Sequence, residues 1–392
     1  MKVRISLAAM ALTALVAAGC GSSNSSSSAS TTSTKTAAAT SKHTNCGASI
    51  GIEAPLTGPV AVLGQEQLAF AKLAVAADNA ANHTNISLVQ GDTQLQPAQA
   101  TTVTQQFISN NKILGVVGPA GSQEVEAVGP LFGRASLVFI SGSATNPTLT
   151  SGGKNPTFFR TVSRDDVQGP QDANFIVSHF HPKALMIVDD QEVYSTGLVS
   201  AMLPVFQKAG IKIDHESVSQ KVTDFSSLVA KVTPQTAVVV LPWQVAANGE
   251  QFGKNLAEQH KSAIIVGTDG MYSPSAFTIP GSYVSSFGPD ITAIPADASI
   301  VTAAKAAFPK FGTFGPPVYA ATHVLDEAIA TACKSGQAPT RANVLTAVKA
   351  TDESSSILGQ PIKFDSAGDM ENSKWFLFKI NPQGKYTLVT NS

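Results

Sequence analysis

Short apolar runs rich in Val and Ile alternate along the chain with longer segments whose apolar positions recur at helical spacing. Strands are expected over 49–54, 86–89, 113–117 and 138–140, with helices over 65–79, 97–110 and 122–134 between and after them. Leu68, Leu73 and Ala76 form the inward stripe of the first helix, and Pro97 suits the first turn of the second. After Asp165-Asp166 the pattern restarts, with strands over 184–188, 211–214, 237–241 and 264–266 and helices over 197–208, 225–232 and 245–260. The remainder is less regular: helices over 299–308, 317–334 and 341–350, then short strands over 361–364, 375–380 and 386–389. The last two read as a hairpin turning through Asn381-Pro382-Gln383-Gly384. Runs such as Leu185-Met186-Ile187-Val188 do not alternate with polar residues, as expected of strands buried on both faces. Strand–helix repetition of this kind implies parallel sheets wrapped by helices, and two successive series imply two α/β lobes.

The N-terminal pattern is different. A basic start (Met1 to Arg4) precedes an apolar run from Ile5 to Ala18, 14 residues long. A membrane span needs ~20, so residues 1–19 read as a signal peptide. The run ends in Val16-Ala17-Ala18-Gly19-Cys20, which resembles the lipobox of bacterial lipoproteins and makes Cys20 the expected site of lipidation. Residues 21–45 hold 9 Ser and 6 Thr among 25 positions and little that can be buried. Residues 20–46 therefore read as a lipidated Cys and a flexible tether reaching about 28 Å. The expectation is an exported protein, anchored by lipid to the cell membrane and facing the periplasm or cell exterior.

The full chain has 392 residues, enough for two domains, and balances 26 cations against 27 anions. Without Lys2 and Arg4 the cations number 24 and the charge becomes −3. No basic patch stands out, so no nucleic-acid partner is expected. Cysteines occur only at 20, 46 and 333, without the CxxC spacing of a structural zinc or redox site, and no metal or cofactor is expected. No GxGxxG, P-loop or HExxH motif appears. His179-x-His181, Asp165-Asp166 and Asp189-Asp190 read as ordinary surface or structural groups, and the chain is not read as an enzyme.

In open parallel sheets, ligands bind beyond the carboxyl ends of the strands, where loops and helix N-termini converge. Beyond 113–117 lies Gly118-Pro119-Ala120-Gly121-Ser122, with the Ser122 hydroxyl at a helix start suited to a carboxylate. Beyond 138–140 lies Ser141-Gly142-Ser143-Ala144-Thr145. In the second series Tyr194, Trp243 and Asp269 occupy the same kind of position. One lobe thus offers donors for an anion and the other a carboxylate and two aromatics, a complement to a zwitterion. Each residue also has a plainer reading: Ser122 as a helix cap, Ser143 and Thr145 as turn residues, Tyr194 and Trp243 as packing, Asp269 as a turn residue before Gly270.

The ordered set of motifs resembles the branched-chain amino-acid class of substrate-binding proteins of ABC importers, of the type I periplasmic-binding fold. The matching residues are Ala54-Pro55-Leu56-Thr57-Gly58-Pro59-Val60-Ala61, Gly115-Val116-Val117-Gly118-Pro119 with Ser122, and Ser143-Ala144-Thr145-Asn146-Pro147. Phe159-Arg160-Thr161 with Asp165 and Gln168-Gly169, then Gly267-Thr268-Asp269-Gly270, the helix over 318–332 and the segment 361–368 complete the series. The resemblance implies an α/β protein of two Rossmann-like lobes with parallel-sheet cores and a three-segment hinge. Lobe 1 would comprise residues 47–162 and 297–350, and lobe 2 residues 163–296 and 351–392. Carried over by position, Ser122 and Thr145 would hold a ligand carboxylate, with backbone contacts from Ser143 and Ala144. Asp269 and Tyr194 would hold its ammonium. Trp243 falls where the leucine-type members carry Tyr, and Leu63 where they carry Trp, so the pocket wall differs. Asp269 is also one methylene shorter than their Glu. The implied function is a monomeric receptor closing on a small polar ligand, a neutral amino acid, for delivery to ABC permease subunits. Amides, urea and aromatic acids are the alternative ligands, and a sensory module the alternative role. Cys46 and Cys333, which the resemblance brings to one lobe, would form a disulfide after export.

Overall fold

The computed structural model describes residues 47–334 and 338–391, which excludes Cys20, Cys46 and the segments 1–19 and 20–46. The first sheet has the order β2-β1-β3-β4-β5 and is parallel throughout. Its strands are β1 (Ser49–Ala54), β2 (Ser87–Asp92), β3 (Ile113–Val117), β4 (Val138–Ser141) and β5 (Phe158–Arg160). Every residue of β1, β3 and β4 is buried, so both faces must be covered. Helices α1 (Ala61–Asn82), α2 (Pro97–Ser109) and α3 (Ser122–Arg134) supply part of that cover.

The second sheet has seven strands, β14-β13-β10-β9-β8-β6-β7. Its parallel part comprises β6 (Ala184–Asp189), β7 (Lys212–Ser217), β8 (Thr236–Leu241), β9 (Ile264–Gly267) and β10 (Tyr283–Ser286). Helices α4 (Asp165–Phe180), α5 (Val193–Lys208), α6 (Ser226–Ala230) and α7 (Ala246–Glu258) belong to this series. The C-terminal hairpin of β13 (Phe376–Ile380) and β14 (Tyr386–Asn391) adds antiparallel to β10. Its turn is closed by Asn381, whose Oδ1 accepts from the amides of Gln383 and Lys385, with Gly384 at φ +74°. Three further helices, α8 (Ala298–Ala307), α9 (Gly315–Lys334) and α10 (Arg341–Lys349), join the first lobe, where α9 packs along α1 and across β3. A two-stranded ribbon, β11 (Asp352–Glu353) and β12 (Ile362–Lys363), follows.

Two expected lobe boundaries shift. Ile291 and Ile294 pack in the first lobe's core while Phe287 packs in the second, so the second crossing precedes residue 296. Ile357, Leu358, Ile362, Phe364 and Met370 also fill the first lobe's core. The third crossing consequently lies between Met370 and Trp375, some twenty residues after the expected position at 350. Burying the apolar side chains of the ribbon segment in that core holds the chain in lobe 1. The helix α4 is not among those expected from the pattern. In the structure Pro170 is accommodated inside α4 and Gly169 lets α5 approach, a Cβ there falling 2.7 Å from the Ala201 methyl.

Candidate functional site

In both sheets the chain reverses its direction of winding beside the first strand: β1 lies between β2 and β3, and β6 between β7 and β8. Ligands of open α/β sheets collect at such switch points. On the first lobe, Gly118 makes the turn out of β3 at φ +101°, where a Cβ would fall 2.1 Å from the Glu53 carbonyl oxygen. The helix cap is Gly121, whose amide donates to Glu124 Oε2 at 2.8 Å, so Ser122 is not spent on capping α3. Its Oγ accepts instead from the Asn146 amide at 3.3 Å, tying the helix start to the neighbouring loop.

That loop, 143–146, is held from beneath. Ser141 Oγ donates to the Pro119 carbonyl and accepts from the amides of Ser143 (3.3 Å) and Ala144 (2.9 Å). The backbone donors of Ser143 and Ala144, expected to reach a ligand, are thus engaged within the protein. The Ser143 hydroxyl is engaged too, accepting from Gln67 Nε2 and donating to the Ala120 carbonyl. Arg160, wholly buried, donates through Nη1 to the carbonyls of Ala144 and Asn146 at 3.0 Å each, and through Nε to Asp369 at 2.6 Å. Thr145 Oγ1 is buried and makes no hydrogen bond.

On the second lobe, Tyr194 Oη donates to Asp269 Oδ1 at 2.8 Å, accepts from the Gly270 amide at 3.0 Å and lies 2.6 Å from Thr268 Oγ1. Gln168 Nε2 donates to the same Asp269 oxygen at 2.6 Å and to Ser285 Oγ at 3.1 Å. Ser285 donates in turn to Asp172, which also accepts from Trp375 Nε1. Burial pushes Asp269 up to about 6, against the lowering effect of the Gln168 and Tyr194 hydrogen bonds. Asp165 stands beside this network. Burial and then the Asp269 charge raise its carboxyl well above the usual range. The nearby Thr145 hydroxyl pulls the other way, although neither Asp165 oxygen closes a hydrogen bond. Asp165 thus lies against both halves of the site: its amide donates to the Thr145 carbonyl at 3.0 Å.

The structure therefore groups Tyr194 with Asp269, and Ser122 with the Thr145 loop. Trp243 is not part of either group. Its indole donates to the Val188 carbonyl at 2.7 Å and its ring packs on Phe225 and Phe252, inside the second lobe's core. Leu63, on α1, lines a cavity of about 50 Å³ with Val60, Glu66, Gln244, Gly270 and Tyr272. The lining comes from both lobes and includes Gly270, the residue after Asp269. The lobes also meet through Gln123 Nε2, which donates to Gln244 Oε1 at 2.9 Å, and Asn146 Nδ2, which donates to the Val193 carbonyl at 2.8 Å. Gln168, Thr268 and the Gln123–Gln244 pair were not singled out as site residues; only the strand-end position of Thr268 and the motif around Gln168 hinted at them.

A family model described as periplasmic binding protein matches residues 48–385. The chain belongs to the periplasmic binding protein family. This binding protein is 27% identical over 357 residues to an amino acid binding protein of Pseudomonas aeruginosa, covering 88% of its own length and 93% of that relative. Among solved structures, it superposes with a TM-score of 0.79 on a leucine binding protein of Thermotoga maritima, at 19% identity, covering 88% of this chain and 98% of that one. A solute binding protein of Rhodopseudomonas palustris, in complex with 3,4-dihydroxy benzoic acid, has a TM-score of 0.76 at 18% identity, covering 88% and 97%. The type I periplasmic-binding architecture is thus common to this binding protein and to neighbours with dissimilar ligands. Its family is extracytoplasmic and works with membrane permease components, and no helix among the described residues is long and apolar enough to cross a membrane.

Proposed function

We propose that the protein is the solute receptor of an ABC importer and binds a neutral amino acid between its lobes. The observation that carries this reading is the opposition of polar complements. Asp269, with Tyr194 and Gln168 on its carboxylate, suits an ammonium; Ser122, at the N-terminus of α3, and the unpaired Thr145 hydroxyl suit a carboxylate. Leu63 gives the wall an apolar surface, which favours an uncharged side chain. Differential affinity for the closed arrangement moves the lobes together, and no chemical step is needed. Calorimetry on protein stripped of carried-over ligand tests the reading, with leucine, valine and phenylalanine set against N-acetyl-leucine, an amide and a hydroxybenzoate. Saturable binding of free amino acids only is expected. Tight binding of the hydroxybenzoate or amide alone would assign the cleft to a ligand lacking an ammonium.

The same reading carries a pH dependence. A carboxyl at about 6 is protonated, and offers no counter-charge, below that value. Affinity for an ammonium ligand therefore falls as pH drops through 6, by about tenfold at one unit below, and levels off above about 7. The Asp269 charge in turn raises the neighbouring acid Asp165, whose carboxyl burial already lifts well above the usual range, and Tyr194 stays neutral throughout because burial raises its hydroxyl. An affinity that is flat between pH 5 and 7 would remove Asp269 from the ammonium site.

Cys20 is proposed to carry the lipid, and Cys20→Ala is expected to move the protein from membrane to soluble fractions. Stable retention requires more than one acyl chain. Cys333 is disulfide-bonded in the structure, and Cys46, outside the described residues, is its proposed partner. Peptide mapping without reductant is expected to link the two. The receptor is proposed to act as a monomer, checked by light scattering.

A further inference from the structure

The helix pair α1·α9 carries a second polar cluster, unrelated to the cleft residues. We propose that Asp78, His323 and Glu327 bind a divalent metal ion of the zinc class. His323 and Glu327 are one helical turn apart on α9 and share a face, and Asp78 projects from α1 towards them. One donor atom from each of the three lies within 4.8 Å of the others. Zinc bonds of ~2.0–2.1 Å place tetrahedral donors about 3.4 Å apart, so closing the set takes about an ångström of side-chain movement. His323 and Glu327, both only partly buried, have room for that movement. Mixed imidazole and carboxylate donors suit zinc and its neighbours better than calcium or magnesium.

Existing contacts leave donors to spare. His323 Nδ1 lies 2.8 Å from Asp78 Oδ1, His323 Nε2 lies 3.8 Å from Glu353, and Asn82 Nδ2 donates to Glu327 Oε1 at 2.5 Å. The second oxygen of Asp78 is buried without a partner.

The independent observation is Asp326. Its side chain is 1% exposed and neither carboxylate oxygen has a hydrogen bond. Asp326 lies on α9 between His323 and Glu327, and the charges of Asp78, His323 and Glu327 are near enough to act on it. Four carboxylates (Asp78, Asp326, Glu327 and Glu353) thus surround one imidazole, and among the described residues no Lys or Arg forms an ion pair with any of them. His323 is the one basic side chain ion-paired with them among the described residues, and a divalent ion would add positive charge there and give Asp326 an outer contact. Access is provided by an open groove of about 510 Å³ lined by His323, Glu327, Thr331, Ala347, Thr351 and Glu353.

The test is calorimetric titration of zinc chloride into the exported chain, purified without a polyhistidine tag and treated with chelator. About one equivalent is expected to bind at micromolar concentration or tighter. His323→Gln and Glu327→Gln are each expected to weaken binding by at least about tenfold, with far-UV circular dichroism and the melting profile of the metal-free protein showing that both fold. Asp326→Asn, which keeps the shape, is expected to weaken zinc less than either. No one-equivalent binding below about 1 mM, or an affinity unchanged in either folded ligand variant, overturns the site.

Discussion

Asp269→Ala is expected to weaken amino-acid binding by two to three orders of magnitude, with the lobes still folded. The carboxylate is buried at the end of β9, and it already collects hydrogen bonds from Gln168 and Tyr194. Both donors keep it positioned and partly offset the burial that would otherwise neutralise it. A ligand ammonium docking there forms a buried ion pair, and removing one partner of such a pair costs ~3–5 kcal/mol because the other charge is left unpaired. At ~1.4 kcal/mol per tenfold, that is the predicted loss. Asp165 is a poor substitute: burial, the largest cause of its raised carboxyl, persists in the variant. Calorimetry with leucine is the measurement. A loss of less than about tenfold would mean that the ammonium is held elsewhere in the cleft.

The largest effect on stability is expected at Arg160. Its side chain is fully buried, yet every face of the guanidinium is used: Asp369 at Nε, the carbonyls of Ala144 and Asn146 at Nη1, and Thr150 Oγ1 at Nη2. Asp369 lies in the last stretch of lobe 1, 209 residues away in sequence, so this one side chain pins the 144–146 loop to that stretch. Arg160→Met removes the charge and leaves two buried carbonyls without donors. A loss of ~3–5 kcal/mol is expected in urea unfolding, tempered because Arg164 still reaches Asp369 at 2.8 Å. Ligand affinity should fall as well, since Thr145 and the Ser122–Asn146 contact lie on that loop. Arg160→Lys restores the charge but not the fork, and should recover only part of the stability. A change below about 1 kcal/mol in Arg160→Met would mean that the loop stands without Arg160.

The element order was legible because the hydrophobic pattern was strong. The unbroken runs at 113–117 and 237–241 could only be doubly buried strands, and Ser122 and Asp269 followed from their places at strand ends. The sequence pattern by itself thus determined the alternation of strands and helices, the division into two α/β lobes, and which loops stand at strand ends, since each depends on local spacing and on burial of one segment at a time. Tertiary structure decided the rest. Aromatic character alone could not distinguish Tyr194, which turns its hydroxyl to Asp269, from Trp243, whose indole finds Val188 and two phenylalanines in the core. Asp165 looked like half of an ordinary acidic pair until α4 buried it beside Asp269. Residues 357–370 stayed with lobe 1 because of the apolar surface waiting there, which no local pattern records. Asp78 and His323 are 245 residues apart, and only the packing of α9 along α1 sets them 2.8 Å from each other. Contacts of that kind are fixed by the close packing of whole helices and sheets, and a side chain's partner is known only when the faces that meet are known.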